Sequence, residues 1–188
     1  MAHFAVVSKY ADDPGVVLPV RATSASAGYD LAAAEDIVIP PMEHLLDKLS
    51  IWAYESKRVT DYWSYLKPFT LSELATAAKE QKAKPTLVPT GIKCYLDKNQ
   101  WLMLTNRSSV ATKDWLILAN GVGTIDADYV DNPENEGQIF VPLINLSPFA
   151  IQIKKGDRLV NAVIMNYTTV DDDQSQGERF GGFGSTNE

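Results

Sequence analysis

A stretch of ten residues, Asn120 to Tyr129, carries the side chains of this sequence that are best suited to acid–base chemistry. Asp126 follows two β-branched residues, so we expect its carboxylate to stand on a stiff strand. The stretch also has two glycines, which allow close backbone approach, and Tyr129 adds a flat aromatic face. A carboxylate held beside a glycine-lined groove is a candidate general base. The alternative is that Asp126 only caps its own turn.

Short strands separated by turns are expected to position this stretch. Apolar runs before and after it, with glycines between, suggest a tight hairpin. Elsewhere the pattern predicts strands at 4–7, 16–20, 90–96, 101–105, 139–146, 149–154 and 159–165. Many short strands with frequent turn signals predict a mainly β, closed or jelly-roll-like fold.

Residues 43–84 differ in character from the rest of the chain. Apolar residues fall near helical spacing in its first half, and a capping box begins at Thr70 in its second half. We therefore predict an inserted α-helical segment, with Pro85 ending its second helix. Its aromatic residues either form a small core packed on the β fold or a surface that binds a protein partner.

Composition excludes several classes of function. A net charge of −7 argues against nucleic-acid binding as the main activity, since such proteins carry basic patches. Cys94 is the single cysteine and His3 and His44 lie far apart, so a zinc site of the usual composition is excluded. Cys94 lies in an apolar run and is expected to be a buried, inert thiol. From the sequence we expect no membrane span, no signal peptide and a cytoplasmic location.

Four further motifs join the Asn120–Tyr129 stretch, and in chain order the five resemble the five motifs of the trimeric dUTPase family. The other four are Ala27-Gly28-Tyr29-Asp30-Leu31, Asn106-Arg107-Ser108-Ser109, Gly156-Asp157-Arg158-Leu159 and Arg179-Phe180-Gly181-Gly182-Phe183-Gly184-Ser185-Thr186. The resemblance implies one domain, residues 1–188, with a jelly-roll-like β-barrel. The helical insertion at 43–84 falls between the first two motifs, and residues 177–188 form a flexible glycine-rich tail.

The family hydrolyses dUTP to dUMP and pyrophosphate through attack of water on the α-phosphorus. By resemblance, Asp126 is the general base, Tyr129 packs under the sugar, and Asp30 contacts Mg²⁺ through water. The remaining substrate-binding positions implied are Arg107, Ser108, Ser109, Asn120, Gly123, Thr124, Ile125, Phe140, Asn161, Arg179, Phe183 and Ser185. The resemblance also implies a homotrimer with shared active sites, each completed by a neighbour's tail.

The sequence departs from the family pattern at three places. Asn161 stands where the family commonly has the longer Gln, and Arg179 and Phe183 are four apart where five is commonest. The acidic stretch 130–136 replaces a shorter turn, and it would repel a triphosphate unless it points away.

The sequence leaves two alternatives to dUTP hydrolysis. The related dCTP deaminase shares the Arg-Ser-Ser motif, but its catalytic Glu would fall at about Pro142, which has no acid–base group. A dUTPase-like protein could also act mainly by binding a protein partner through its insertion.

Overall fold

The computed structural model describes residues 1–41, 84–175 and 177. The predicted helical insertion therefore lies outside the described residues, apart from Lys84 at its end. The predicted tail lies outside them as well, apart from Gly177.

The described chain is mainly β, as the sequence pattern predicts. It has one short α-helix, α1 (Ser108–Lys113), and two 3₁₀ turns, Ser8–Tyr10 and Ala127–Tyr129. The strands are β1 (His3–Val6), β2 (Tyr29–Ala32), β3 (Ile37–Ile39), β4 (Thr86–Pro89), β5 (Ile92–Tyr95), β6 (Gln100–Asn106), β7 (Leu116–Leu118), β8 (Gly123–Asp126), β9 (Phe140–Asn145), β10 (Ile151–Ile153) and β11 (Arg158–Asn166).

The strands are arranged so that the chain changes sheet at nearly every turn. One sheet has the order β2-β11-β6-β8 and another β4-β9-β7, while β1 pairs with β5 and β10 with β3. Within the described ranges, no strand pairs with the strand that follows it in sequence. Pairing is therefore long-range throughout, and motifs distant in sequence become neighbours across β11 and β6.

The core lies where the period-two alternation of the strands turns apolar side chains inward. In β9 the buried residues alternate with half-buried ones, and in β6 Leu102 and Leu104 are buried at alternate positions. In β11 the first part of the apolar run is buried, at Leu159, Val160 and Ala162, and the strand lies between β2 and β6 in the four-stranded sheet. This sheet supplies the frame for four of the five motifs, because β2, β6, β8 and β11 each carry residues of one.

Two local predictions are corrected by the structure. Residues 16–20 form no strand, because they have no ladder partner in the described part of the chain, and Val17 and Val20 are both exposed. The stretch after β7 is no hairpin, since β7 pairs with β9 and β8 with β6. Ser108 and Ser109, the serines that follow Arg107, begin the short helix α1.

Cys94 is buried in β5, as expected for an inert thiol. Burial raises the pKa of its thiol to about 12, so the nucleophilic thiolate is scarce at neutral pH. The helix seen in the described residues is too short to cross a bilayer.

Candidate active site

The first candidate cluster is a pair of arginines held by one carboxylate at one end of the four-stranded sheet. Asp30 lies on β2, and register places it opposite Asn161 on the neighbouring strand β11. Arg158 begins β11, and Arg107 follows the end of β6 directly. The sheet order β2-β11-β6 thus brings together residues from three motifs that are far apart in sequence.

Asp30 orients both guanidinium groups. Arg107 Nε lies 3.1 Å from Asp30 Oδ1, and Arg158 Nη1 lies 3.1 Å from Asp30 Oδ2. The acid side chain is only 9% exposed, whereas those of Arg107 and Arg158 are 27% and 55% exposed. One carboxylate therefore fixes two cations at the surface, and their remaining N–H donors suit an anion with several oxygens.

The neighbours of this arginine pair are polar. Asn161 Nδ2 lies 3.4 Å from Asp30 Oδ1, a long contact that adds a third donor beside the acid. Ser108 is exposed and Ser109 half-buried, both at the start of α1 next to Arg107.

Arg158 was not among the candidate site residues predicted from the sequence. Its motif could have suggested it, because an Arg that starts a strand beside an Asp-bearing strand is a natural partner for that Asp.

Asp30 is the single carboxylate of this cluster and forms no metal site alone, but it could contact a substrate-bound Mg²⁺ through water. Across residues 1–41 and 84–175, no three His, Cys, Asp or Glu side chains lie together as a metal site. Mg²⁺ usually takes one or two protein carboxylates and completes its shell with water and substrate phosphate. Both oxygens of Asp30 are bound by arginines, so this carboxylate could contact such an ion only through water.

The second candidate cluster is a cavity of about 230 Å³ around the Asn120–Tyr129 stretch. Leu104, Leu118 and Pro142 also line it, and none of these three was predicted from the sequence, since they belong to no motif. The predicted site residues that line the cavity are Asn120, Gly123, Thr124, Ile125, Asp126, Tyr129 and Phe140.

Asp126 and Tyr129 occupy this cavity in different ways. Asp126 is half-buried at the end of β8, so its carboxylate stands on a strand as expected. Tyr129 ends the following 3₁₀ turn and is 7% exposed, with its hydroxyl donating to the carbonyl of Gln138 at 2.9 Å. A half-buried carboxylate and a fixed aromatic face thus share one concave, mostly apolar space.

Asp126 and the arginine pair lie at opposite ends of β6, although the cavity itself extends along the strand to Leu104. Asp126 pairs in register with Trp101, and Arg107 lies six residues further along the chain, since 107 − 101 = 6. At 3.4 Å per strand residue, this separates the two by about 20 Å. A single chain therefore does not bring Asp126 and the arginine pair to the same atom. The predicted residues Arg179, Phe183 and Ser185 lie outside the described residues.

The sequence model of the dUTPase family matches residues 71–187. A deoxyuridine 5'-triphosphate nucleotidohydrolase of Lactococcus lactis is 35% identical over 185 residues, covering 97% of this chain and 95% of that protein. The crystal structure of dUTPase from Streptococcus mutans is 30% identical, with a TM-score of 0.63 over 89% of this chain and 98% of that one.

A more distant structure shares the fold alone. The dUTPase of phage phi11 of S. aureus is 17% identical, with a TM-score of 0.56 over 96% of this chain and 98% of that one. The family match and the relative at 35% identity along nearly the whole chain lead to one conclusion: this protein belongs to the dUTPase family.

Proposed function

We propose that this protein is a dUTP diphosphatase, which hydrolyses dUTP to dUMP and pyrophosphate by attack of water on the α-phosphorus. The observation that carries the proposal is the cavity at Asn120–Tyr129, where seven residues proposed for base, sugar and water line one space of about 230 Å³. The Lactococcus lactis relative is named for the same reaction.

Asp126 is the proposed general base. Its carboxylate is half-buried at the cavity wall, where it can accept a proton from a water molecule as that water attacks. Asn120, the backbone from Gly123 to Ile125, and Phe140 are proposed to surround the uracil ring. Tyr129 is proposed to pack under the deoxyribose, where a ribose 2'-hydroxyl would meet its ring.

The arginine pair is the proposed triphosphate cradle. Arg107 and Arg158 present fixed guanidinium groups, with Ser108, Ser109 and Asn161 as further donors around the phosphate oxygens. Asp30 is proposed to hold Mg²⁺ through water, and a bound Mg²⁺ would neutralise charge on the phosphates. The structure of the phage phi11 relative describes a structural Mg(II) ion in that protein.

A homotrimer with shared sites is proposed because one chain holds Asp126 and Arg107 about 20 Å apart. A reacting phosphate lies within hydrogen-bond reach of its base or its water, so the cradle of one chain requires the cavity of another. Arg179, Phe183 and Ser185 in the tail 177–188 are proposed to close over the ligand from a neighbouring chain, with Phe183 on uracil.

We further propose that the domain is a jelly-roll-like β-barrel with the helical insertion at 43–84. The lack of pairing between consecutive strands in the described ranges supports the jelly-roll arrangement, in which the chain alternates between sheets. The insertion remains a candidate surface for a protein partner.

Gly28 packs closely against the Asn161 side chain, and this contact gives a prediction about the proposed triphosphate-binding cluster. A Cβ added at Gly28 would lie 1.8 Å from Asn161 Oδ1, so Gly28→Ala forces the amide away from Asp30. Because the side chain can rotate, the melting temperature should change little, while KM for dUTP should rise about two- to tenfold, as for one lost hydrogen bond. Steady-state kinetics would measure this.

The control for Gly28→Ala is Asn161→Ala, which removes the same amide directly. If Gly28 acts through Asn161, the double variant should be no worse than either single variant. Additive losses would show that Gly28→Ala disturbs something other than this amide.

Pyrophosphate release from dUTP, dCTP, dTTP and UTP, with and without Mg²⁺, tests the proposed function. We expect turnover of dUTP only, and loss of turnover when the metal is chelated. Deamination of dCTP is disfavoured, because Pro142 occupies the position proposed for the deaminase acid and lines the cavity without an acid–base group. Ammonia release from dCTP, or no pyrophosphate from dUTP, would contradict the proposal.

A further inference from the structure

The acidic loop, residues 130–137, is folded away from the cavity rather than extended into it. Asp131 binds Lys93 and accepts from the Tyr95 hydroxyl at 2.8 Å and 3.0 Å, while Glu136 accepts from the hydroxyl and backbone N–H of Ser8. The hydrogen bond from Lys93 holds the pKa of Asp131 below its usual range. None of Lys93, Tyr95 and Ser8 lines the cavity, so these two loop acids face away from it.

The inside of the acidic loop is a hydrogen-bonded network centred on Asn132. This side chain is 5% exposed, and its Oδ1 accepts from the backbone N–H groups of Glu134 and Asn135 at 3.1 Å and 3.2 Å. Its Nδ2 donates to the carbonyl of Tyr129 at 2.8 Å and to Asn135 Oδ1 at 2.9 Å. A buried side chain with all these partners fixes the path of the loop relative to Tyr129.

Asn135 carries this network to the tyrosine ring. Its Nδ2 donates to Tyr129 Oη at 3.1 Å, and its Oδ1 accepts from the N–H of Gly137 at 3.0 Å. The Tyr129 hydroxyl in turn donates to the carbonyl of Gln138. The hydroxyl is therefore held on both sides, as an acceptor from Asn135 and as a donor to Gln138.

At the end of the acidic loop, Gly137 packs closely against the backbone of Tyr129 and Val130. Gly137 has φ of 76°, and a Cβ there would lie 2.5 Å from Val130 Cα and 2.7 Å from the Tyr129 carbonyl oxygen. Asp131 and Glu136 also have positive φ, at 57° and 58°. Such backbone is unfavourable for residues other than glycine, and it persists here because the surrounding contacts require it.

We propose that the acidic loop is a positioning device for Tyr129, and that Asn135 is the positioning residue through which it sets discrimination between deoxyribose and ribose. The inference rests on the proposed function, in which Tyr129 packs under the sugar. A ring that excludes one hydroxyl must not move by the width of that hydroxyl. Tyr129 is locked at its hydroxyl by Asn135 and at its carbonyl by Asn132, which restricts both tilt and translation of the ring.

The test compares the ratio of kcat/KM for dUTP to kcat/KM for UTP in Asn135→Ala, Asn135→Ser and wild type. Serine keeps an oxygen that can accept from the Gly137 N–H in the same turn but cannot reach Tyr129 as the amide does. We expect the ratio to fall about three- to tenfold in both variants, the size of one hydrogen bond. The loss should arise from faster UTP turnover, and Asn135→Ser should melt near the wild-type temperature.

Two further variants are needed: Tyr129→Phe tests the role of the tyrosine hydroxyl, and Asn99→Ala is the control. Removing the hydroxyl by Tyr129→Phe should lower the same ratio, and the double variant with Asn135→Ala should fall no further. Asn99 is exposed in the turn before β6, so Asn99→Ala is the matched control and should leave the ratio unchanged.

The outcomes separate this inference from the proposed function. If wild type hydrolyses dUTP but Asn135→Ser keeps the wild-type ratio, the positioning role is wrong and the enzyme assignment stands. If Asn135→Ala does not fold, Asn135→Ser decides, and an unchanged ratio in Tyr129→Phe overturns the inference by itself. A wild-type protein without dUTP turnover overturns both.

Discussion

Asp126→Asn is expected to lower kcat for dUTP by about 10²–10⁴-fold, the usual contribution of a positioned general base. This corresponds to about 3–5 kcal/mol of transition-state stabilisation. The substitution keeps the size of the side chain at the end of β8 but removes its charge and its basicity. Affinity for dUTP should change only a few-fold, because the cradle and the walls of the cavity still bind the ligand.

Single-turnover kinetics and equilibrium binding of dUTP separate the two effects in Asp126→Asn. Asp12→Asn is the matched control, since it makes the same change in charge at an exposed turn and should keep wild-type kcat. If Asp126 only caps its turn, the variant should lose thermal stability instead of turnover. A kcat within about threefold of wild type, well short of a general base's usual share, would remove Asp126 from the mechanism.

The sequence predicts the chemistry of this molecule better than its strand pairing. Local rules correctly place Asp126 at the end of a strand and Cys94 in the core, because β-branched neighbours and apolar runs act over a few residues. They wrongly predict a strand at 16–20, which pairs with no other strand in the described part of this chain. A strand requires a partner, and partners in this fold are far apart in sequence.

In the candidate site, too, the features that depend on neighbouring residues were predicted, and those that depend on long-range strand pairing were not. Seven predicted residues line one cavity because they come from one short stretch and from Phe140, on the strand that pairs with β7. The role of Arg158 depends on the register of β11 against β2, which no local motif reveals. The acidic loop is the clearest case, since its composition would repel a triphosphate unless the loop points away, and composition alone does not show its direction. In the structure Asp131 binds Lys93 and Glu136 binds Ser8, while Asn132 and Asn135 contact Tyr129.

Mixing two inactive variants, Asp126→Asn and Arg107→Ala, is expected to restore dUTP turnover. Each variant alone should be nearly inactive, the first for lack of a base and the second for lack of a charge-assisted phosphate contact. Because Asp126 and Arg107 lie about 20 Å apart in one chain, each proposed site takes them from different subunits. In trimers assembled at random from equal amounts, about one quarter of the sites would combine an intact cavity with an intact cradle.

Mixed trimers are made by unfolding the two variants together and refolding them, and the control is the same mixture combined without unfolding. Thermal melting of each variant checks that Arg107→Ala still folds, because it leaves Asp30 with Arg158 as its remaining guanidinium partner. Turnover near one quarter of wild type, appearing only after subunit exchange, requires that a site be shared between chains. Turnover no higher than the mean of the two variants would mean that each chain builds its own site. The separation along β6 would then have to close by a rearrangement of the Asn120–Tyr129 stretch.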